Sequence, residues 1–358
     1  MVNIPTRITV IIPTYKRSTF LLDALKSVLA QQITSEYEVL VLDNGCENSL
    51  QSQVESLAQS VSFPLAYFPV SAPGLHNGRH AGAMYAQSDL LVYVDDDIIA
   101  TPGWLEAIVE AFQDPEVQLV GGKCLPQYET EPPDWQEAFW SHSPDGQHSC
   151  GYLSLLDLGD KSFEMDPNYI WGLNFAIRKQ TLVTLGGFNP DSMPWELRRY
   201  RGDGESALTR KVKALGLKAM YQPAALVYHR VPKSRQTVDY FERRAYLQGI
   251  SDSFTNIRTN GGLFSPATSH VRLDWKEPLR LAKCLVKWVL KPKQPISAEP
   301  YKEIKNRVRA AHHAGYQYHQ DEVRNDPALL EWVIKPDYWD GLIPPLQNTG
   351  AIQKGESS

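Results

Sequence analysis

Leu90-Leu91-Val92-Tyr93-Val94-Asp95-Asp96-Asp97 is an apolar run of strand length that stops on three consecutive carboxylates. A short β-branched and aromatic run of this kind predicts a buried strand. In an open α/β sheet the carboxyl end of such a strand faces the ligand crevice, so the three acids are predicted to line it. Adjacent anions there require a counter-cation. Hard oxygen ligands suit Mg²⁺ or Mn²⁺, ions that commonly complete their shells with substrate phosphates. For an isolated acidic triplet the plain alternative is a turn that caps the next helix, so the surrounding chain has to decide.

On both sides of this strand, from residue 8 to about 122, apolar runs alternate with amphipathic stretches, the pattern of β-α-β units and a mainly parallel sheet. Strands are predicted at Ile8–Ile12, Glu38–Leu42, Leu65–Val70, Leu90–Val94 and Val117–Val120. Between the first two, Leu21, Leu25, Val28 and Leu29 recur at helical spacing behind Ser18, which reads as an N-cap. Further on, Gln127 to Gly151 reads as a Pro-, Trp- and His-containing loop, the kind of long insertion that often serves as a substrate lid. Strands follow at Ile170–Ile177 and Ala224–Tyr228, and then a helix carrying Leu247, Ile250 and Phe254. The expected organisation is a catalytic domain over 1–232, made of a nucleotide-binding half (1–122) and an acceptor half (123–232). A helical extension over 233–346 and a polar tail over 347–358 complete it.

Composition narrows the function classes. The chain has 358 residues, 42% apolar and 22% charged, which suits a globular protein with a substantial core. A net charge of -5 gives no general attraction to nucleic acid. Cys46, Cys124, Cys150 and Cys284 have neither metal-ligand spacing nor the density of a disulfide framework, and Met1 to Ile8 lacks a signal-peptide pattern. The expectation is therefore a cytoplasmic protein. No apolar run reaches the length of a spanning helix, which leaves peripheral contact as the route to a membrane.

Four segments in order resemble the family 2 glycosyltransferases. Val10-Ile11-Ile12-Pro13-Thr14-Tyr15-Lys16-Arg17 is similar to the family's first nucleotide-contacting segment, and Val41-Leu42-Asp43-Asn44-Gly45 to its second. Gly78-Arg79-His80-Ala81-Gly82-Ala83 stands where the family has an Arg-bearing helix start near the diphosphate, and Asp95 to Asp97 match its DxD signature. Lys16 departs from the Asn commonly found there. The resemblance implies an A-type glycosyltransferase fold: an α/β sandwich with a mainly parallel central sheet flanked by helices, plus the C-terminal extension. It implies an inverting, divalent-cation-dependent transfer of sugar from a nucleotide diphosphate, most naturally UDP, to an acceptor hydroxyl on a saccharide or lipid-linked acceptor. In this reading Pro13, Thr14, Tyr15, Arg17, Asp43, Arg79, Asp95 and Asp96 meet the donor, and Asp97 ligates the cation. Each segment also has a plain reading: Pro13 ends a strand, Asp43 caps a turn, and Arg79 is an ion-pair partner.

Downstream, Ile170-Trp171-Gly172-Leu173-Asn174-Phe175-Ala176-Ile177-Arg178 resembles the family strand that lines donor sugar and acceptor, which makes Trp171, Gly172 and Asn174 substrate candidates. Trp195 joins them as an aromatic face suited to a sugar ring. His229 stands where related enzymes supply a further metal ligand. For the general base, Gly202-Asp203-Gly204-Glu205-Ser206-Ala207-Leu208 offers two acids at a helix start. Counting back from Leu208 on the family pattern selects Glu205, with Asp203 as the alternative and as a natural N-cap. Rival functions are a sugar nucleotidyltransferase and a non-catalytic sugar-nucleotide-binding scaffold; a dehydrogenase is disfavoured because no G-x-G-x-x-G follows the first strand. Finally, Arg280, Lys283, Lys287 and Lys291 line one side of a predicted helix within 279–293. Its two readings are a core-facing helix with solvated lysines and a basic amphipathic helix resting on an anionic membrane.

Overall fold

The computed structural model describes residues 8–143, 146–263 and 301–343. The basic segment Leu279–Lys293 and the tail over 347–358 lie outside the described residues. Four strands build one half of the sheet: β1 (Ile8–Thr14), β2 (Tyr37–Asp43), β3 (Leu65–Pro69) and β4 (Leu90–Val94). They stand in the order β3-β2-β1-β4, all neighbours parallel. In β1, β2 and β4 the apolar side chains are buried on both faces: Val10, Ile11, Ile12, Val39, Val41 and Leu91 to Val94 have no exposed surface, while the edge strand β3 is half-buried. This is why the strands read as continuous apolar runs rather than as alternation. Helices α1 (Ser18–Leu29), α2 (Asn48–Ala58) and α3 (Leu75–Tyr85) make the crossovers. Ser18 is the first helical residue rather than the cap; Arg17 holds the cap position and makes no side-chain capping bond.

Strand order runs outward from β1 to β2 and β3 and then reverses to place β4 on the other side of β1, which makes the carboxyl ends of β1 and β4 the topological switch point. Beyond β4 the sheet is mixed. The short β5 (Ile98–Ala100) and helix α4 (Trp104–Ala111) lead to β6 (Val117–Tyr128), which is much longer than the predicted Val117–Val120. The predicted loop over 127–151 is structured: a 3-10 helix at Asp134–Phe139 precedes a small hairpin of β7 (Ser141–His142) and β8 (His148–Cys150). Its aromatic residues are anchored, with Trp135 and Phe139 packed edge-on against Phe241. Strands β9 (Leu155–Asp157) and β10 (Phe163–Glu164) follow. Next, β11 (Asn174–Arg178) runs antiparallel between β4 and β6, and starts later than the predicted Ile170. After α5 (Lys179–Thr184) and α6 (Ser206–Ala214), β12 (Lys218–Val231) pairs parallel with β6 and antiparallel with β5.

The C-terminal helices are α7 (Val238–Thr259), α8 (Lys302–Asn325) and α9 (Pro327–Val333). Helices α7 and α8 approach closely because glycines stand at the crossing: a Cβ on Gly249 would meet the His312 carbonyl oxygen at 2.0 Å, and one on Gly315 the Tyr246 carbonyl oxygen at 1.9 Å. The segment after α9 returns to the sheet. There Tyr338 is fully buried and Trp339 stacks on His80 of α3 at 4.0 Å. Among the described residues no helix is long and apolar enough to cross a membrane.

Candidate active site

Because Ile98 of β5 pairs opposite His229 of β12, the residue before Ile98 is carried to the histidine. Asp97 Oδ1 lies 3.3 Å from His229 Nε2. The other ring nitrogen, Nδ1, lies 2.8 Å from the Leu153 carbonyl oxygen, an arrangement that puts the proton on Nδ1 and leaves Nε2 as an acceptor beside the carboxylate. Two guanidinium groups hold the other oxygen: Arg17 Nη1 at 2.9 Å and Arg235 Nη2 at 2.5 Å from Asp97 Oδ2. Arg235 Nη1 also donates to His229 Nε2 at 2.8 Å. Burial alone would raise the Asp97 carboxyl, but the guanidinium charges of Arg235 and Arg17 overcome it and hold Asp97 well below the usual carboxylate range. Asp96 beside it is buried as well, accepting from Thr14 Oγ1 at 2.7 Å and Arg17 Nη1 at 3.1 Å. Burial and the Asp97 charge push it up to about 6.

Among the described residues no three His, Cys, Asp or Glu side chains are arranged to hold a metal ion. The donor chemistry of Asp97 with His229 nevertheless fits one. Asp97 Oδ1 is a buried oxygen without a hydrogen-bond partner, and it lies 3.3 Å from the imidazole Nε2, whose lone pair here takes the Arg235 donor. A hard oxygen and a neutral imidazole suit Mn²⁺, and a guanidinium already brings positive charge to the same place.

The opposite end of the triplet is open. Asp95 is one-third exposed and lies 3.5 Å from Arg79 Nη2, whose Nη1 bonds Glu205 Oε2 at 3.0 Å. Arg79 is 2% exposed, sealed under Gly172, where an added Cβ would fall 2.0 Å from its Nη2. The Gly172 amide donates to Glu205 Oε1 at 3.0 Å. One guanidinium thus ties the acid after β4 to the acid before α6, and a glycine permits it.

The remaining predicted residues divide. Thr14 is drawn into the acid cluster, while Tyr15 at the end of β1 is half exposed, and Lys16 beside it has a left-handed backbone with φ 53°. Pro13 belongs to β1, paired with Leu42. Asp43 has no exposed surface; its carboxylate accepts from the Gly45 and Glu47 amides and the Tyr67 hydroxyl. Asn174 is buried behind the crevice, accepting from Trp104 Nε1 and donating to the Ala225 carbonyl oxygen. Trp171 sits half-buried next to Gly172, whereas Trp195 stands exposed against Tyr246 of α7 and Arg198. Asp203 accepts from Asn189, Thr255 and Arg210, so it ties the α6 approach to α7. Arg235 is the residue that sequence reasoning missed. It is 138 positions from Asp97 and lies in a short 3-10 turn, so no local pattern marks it.

A doubly connected sheet with an acid row at its switch point and a second acid at the start of α6 has the architecture of the A-type glycosyltransferases. A solved structure of that fold, the mannosyltransferase PcManGT from Pyrobaculum calidifontis in complex with GDP-Man and Mn²⁺, superposes with a TM-score of 0.50 at 19% identity, covering 94% of this chain and 89% of that one. Residues 9–178 match the model of Glycosyl transferase family 2, and the match together with the named relatives makes the chain a glycosyl-transferring enzyme. It is 22% identical over 250 residues to the glucosyl-dolichyl phosphate glucuronosyltransferase of Haloferax volcanii, covering 68% of this chain and 76% of that one. It is 31% identical over 222 residues to the glycosyltransferase YfnE of Bacillus subtilis and 25% identical over 215 residues to the pre-mycofactocin glycosyltransferase of Mycobacterium tuberculosis, spanning 55% and 41% of their lengths.

Proposed function

We propose that this chain is an inverting, divalent-cation-dependent transferase that moves a sugar from a nucleotide diphosphate, UDP in the first instance, to an acceptor hydroxyl, with Glu205 as the general base. The observation that carries this reading is the Asp95–Arg79–Glu205 chain, which puts a partly exposed carboxylate beside the open end of the acid row. Arg79 and the Gly172 amide orient Glu205, and each of its oxygens keeps a lone pair for an acceptor proton. Asp203 is engaged by three donors and acts in positioning.

In the proposed reaction the acceptor oxygen gives its proton to Glu205, bonds to the anomeric carbon from the face opposite the diphosphate, and the bond from that carbon to the diphosphate oxygen breaks. Asp97 and His229 would hold Mn²⁺ or Mg²⁺, which when bound offsets the negative charge of the departing diphosphate. Tyr15 and Arg17 flank the nucleotide side, with Asp43 shaping the turn beneath it, and Trp171 borders the sugar. In this reading residues 1–232 are the catalytic unit, and α7 borders its acceptor side. Saccharide and lipid-linked acceptors are both in the proposed class, as the name of the Haloferax relative illustrates.

The test is a pair of variants. Glu205→Gln is expected to keep cation-dependent donor binding and lose transfer by roughly 10²–10⁴-fold, the usual contribution of a positioned base. Near-normal transfer by Glu205→Gln, with a folded, donor-binding Asp203→Asn inactive, moves the base to Asp203. Release of pyrophosphate instead of nucleoside diphosphate overturns the transferase reading.

A further inference from the structure

Between the α6 approach and helix α7 lies a polar cavity of about 120 Å³, with Glu205 in its wall. Arg244, Gln248, Ser251, Asp252 and Thr255 face it from α7, spaced three and four apart and so along one side of the helix. Across from them stand Asp191, Arg201, Asp203 and Arg210. The volume accommodates several waters, or one carboxylate or phosphate group with its shell.

Four carboxylates and three guanidiniums line this wall, and one of the guanidiniums has no close partner. Asp191 is bonded by Arg201 at 2.7 Å, and Asp203 by Arg210 and by Thr255 Oγ1. Asp252 receives Gln248 Nε2 at 2.8 Å and faces His312 Nε2 at 2.7 Å. Glu205 is held by Arg79 and the Gly172 amide. Arg244 is left. It is half-buried and makes no side-chain hydrogen bond or salt bridge among the described residues, its charge reaching Asp191 only through space. A guanidinium presents a planar fork of donors matched to carboxylate and phosphate oxygens, and the amino end of α6 at the far side of the cavity adds positive partial charge. Nothing in the Asp95–Arg79–Glu205 chain uses Arg244.

We infer that the cavity holds an anionic substituent of the acceptor, a carboxylate or a phosphate bonded by Arg244, so that the enzyme selects a negatively charged acceptor over its neutral counterpart. The inference deepens the proposed function, since it rests on the acceptor approaching Glu205 from the α7 side.

The experiment titrates full-length protein saturated with Mn²⁺ and UDP, so that the donor site is filled, with methyl glucuronoside, glucose 1-phosphate and methyl glucoside, followed by calorimetry. At least one of the two anions is expected to bind about tenfold or more tighter than the neutral glucoside, and which one does so separates a uronate from a phosphate acceptor. Arg244→Gln removes that preference and Arg244→Lys retains part of it, with Mn²⁺–UDP affinity within twofold of the parent in both. Equal binding of neutral and anionic sugars, no saturable binding of either anion, or an anion preference that survives in Arg244→Gln overturns the inference. Glu205→Gln is run in parallel: full transfer activity there, alongside an Arg244-dependent anion preference, sinks the base assignment and leaves the anion site standing.

Discussion

Asp95 and Asp97 are two residues apart, yet the fold gives them opposite settings. Asp97 is 3% exposed, gripped by Arg17 and Arg235, and opposed by His229. Asp95 is one-third exposed and shares its single guanidinium, Arg79, with Glu205. The difference comes from what each end is stitched to. Asp97 precedes β5 and is drawn against β12, while Asp95 ends β4 and faces the loop that precedes α6. A closed, cation-saturated acid suits holding charge, and an open one suits meeting a substrate.

The contrast is broken most severely at Arg79. Arg79→Met leaves Glu205 and Asp95 without their shared cation, and stripping one partner from a buried ion pair costs about 3–5 kcal/mol. Urea unfolding should show that loss; a variant within 1 kcal/mol of the parent would mean, on the scale of a typical surface pair, that the ion pair is not what organises this end.

The next effect concerns the helix that carries Arg79. His76, one turn earlier, is 1% exposed, and both ring nitrogens lack hydrogen-bond partners. Burial pushes it down to about 4, so between the ordinary histidine value near 6.5 and pH 4 the unfolded chain takes up a proton that the folded chain refuses. Stability should therefore be fully present at pH 7 and fall as the pH drops through that window, by about 3 kcal/mol at pH 4 on account of this residue. His76→Phe should flatten that acid limb in denaturation curves. An unchanged limb places the acid sensitivity elsewhere, His80 being the neighbour to examine.

At the Asp97 end, Asp97→Asn is expected to weaken Mn²⁺ binding by more than about 100-fold, beyond the 10–100-fold typical when a group merely supporting a ligand is lost. Asp96→Asn, whose target is already bonded to Thr14 and Arg17, should change it much less. Equal losses in calorimetric titrations would erase the distinction between them. The smallest effect is the most specific to this structure. Since Arg235 brings a positive charge to Asp97 and His229, Arg235→Gln should tighten Mn²⁺ binding in the absence of nucleotide by roughly tenfold, about 1.4 kcal/mol. Weaker binding in that variant would make Arg235 a support of the cation site instead of its competitor.

Legibility followed the range of the interactions. Leu90–Val94 was readable to the residue because a strand buried on both faces must be apolar throughout, and the acids after it mark its end. Val117–Val120 and Ile170–Ile177 were misjudged at their ends, since β6 gains its length by pairing with β12 about a hundred residues later in the chain, and β11 starts only where β4 and β6 receive it. The loop over 127–151 looked structureless because its aromatic anchors bind to Phe241, on a helix that no local pattern connects to it.

By itself, then, the sequence determined the parallel α/β half of the sheet, the acid row at the end of β4, and the two acids before α6. All of these rest on hydrophobic periodicity and on motifs whose members are neighbours in the chain. Tertiary structure decided the work assigned to each charge. It turned Asp43 and Asn174 inward to satisfy buried amides and carbonyls, bound Asp203 to α7, set Arg79 between Asp95 and Glu205, and brought Arg235 to Asp97. A charge in a low-dielectric interior is governed by whichever opposite charge the fold places within a few ångströms, and sequence separation carries no information about that distance.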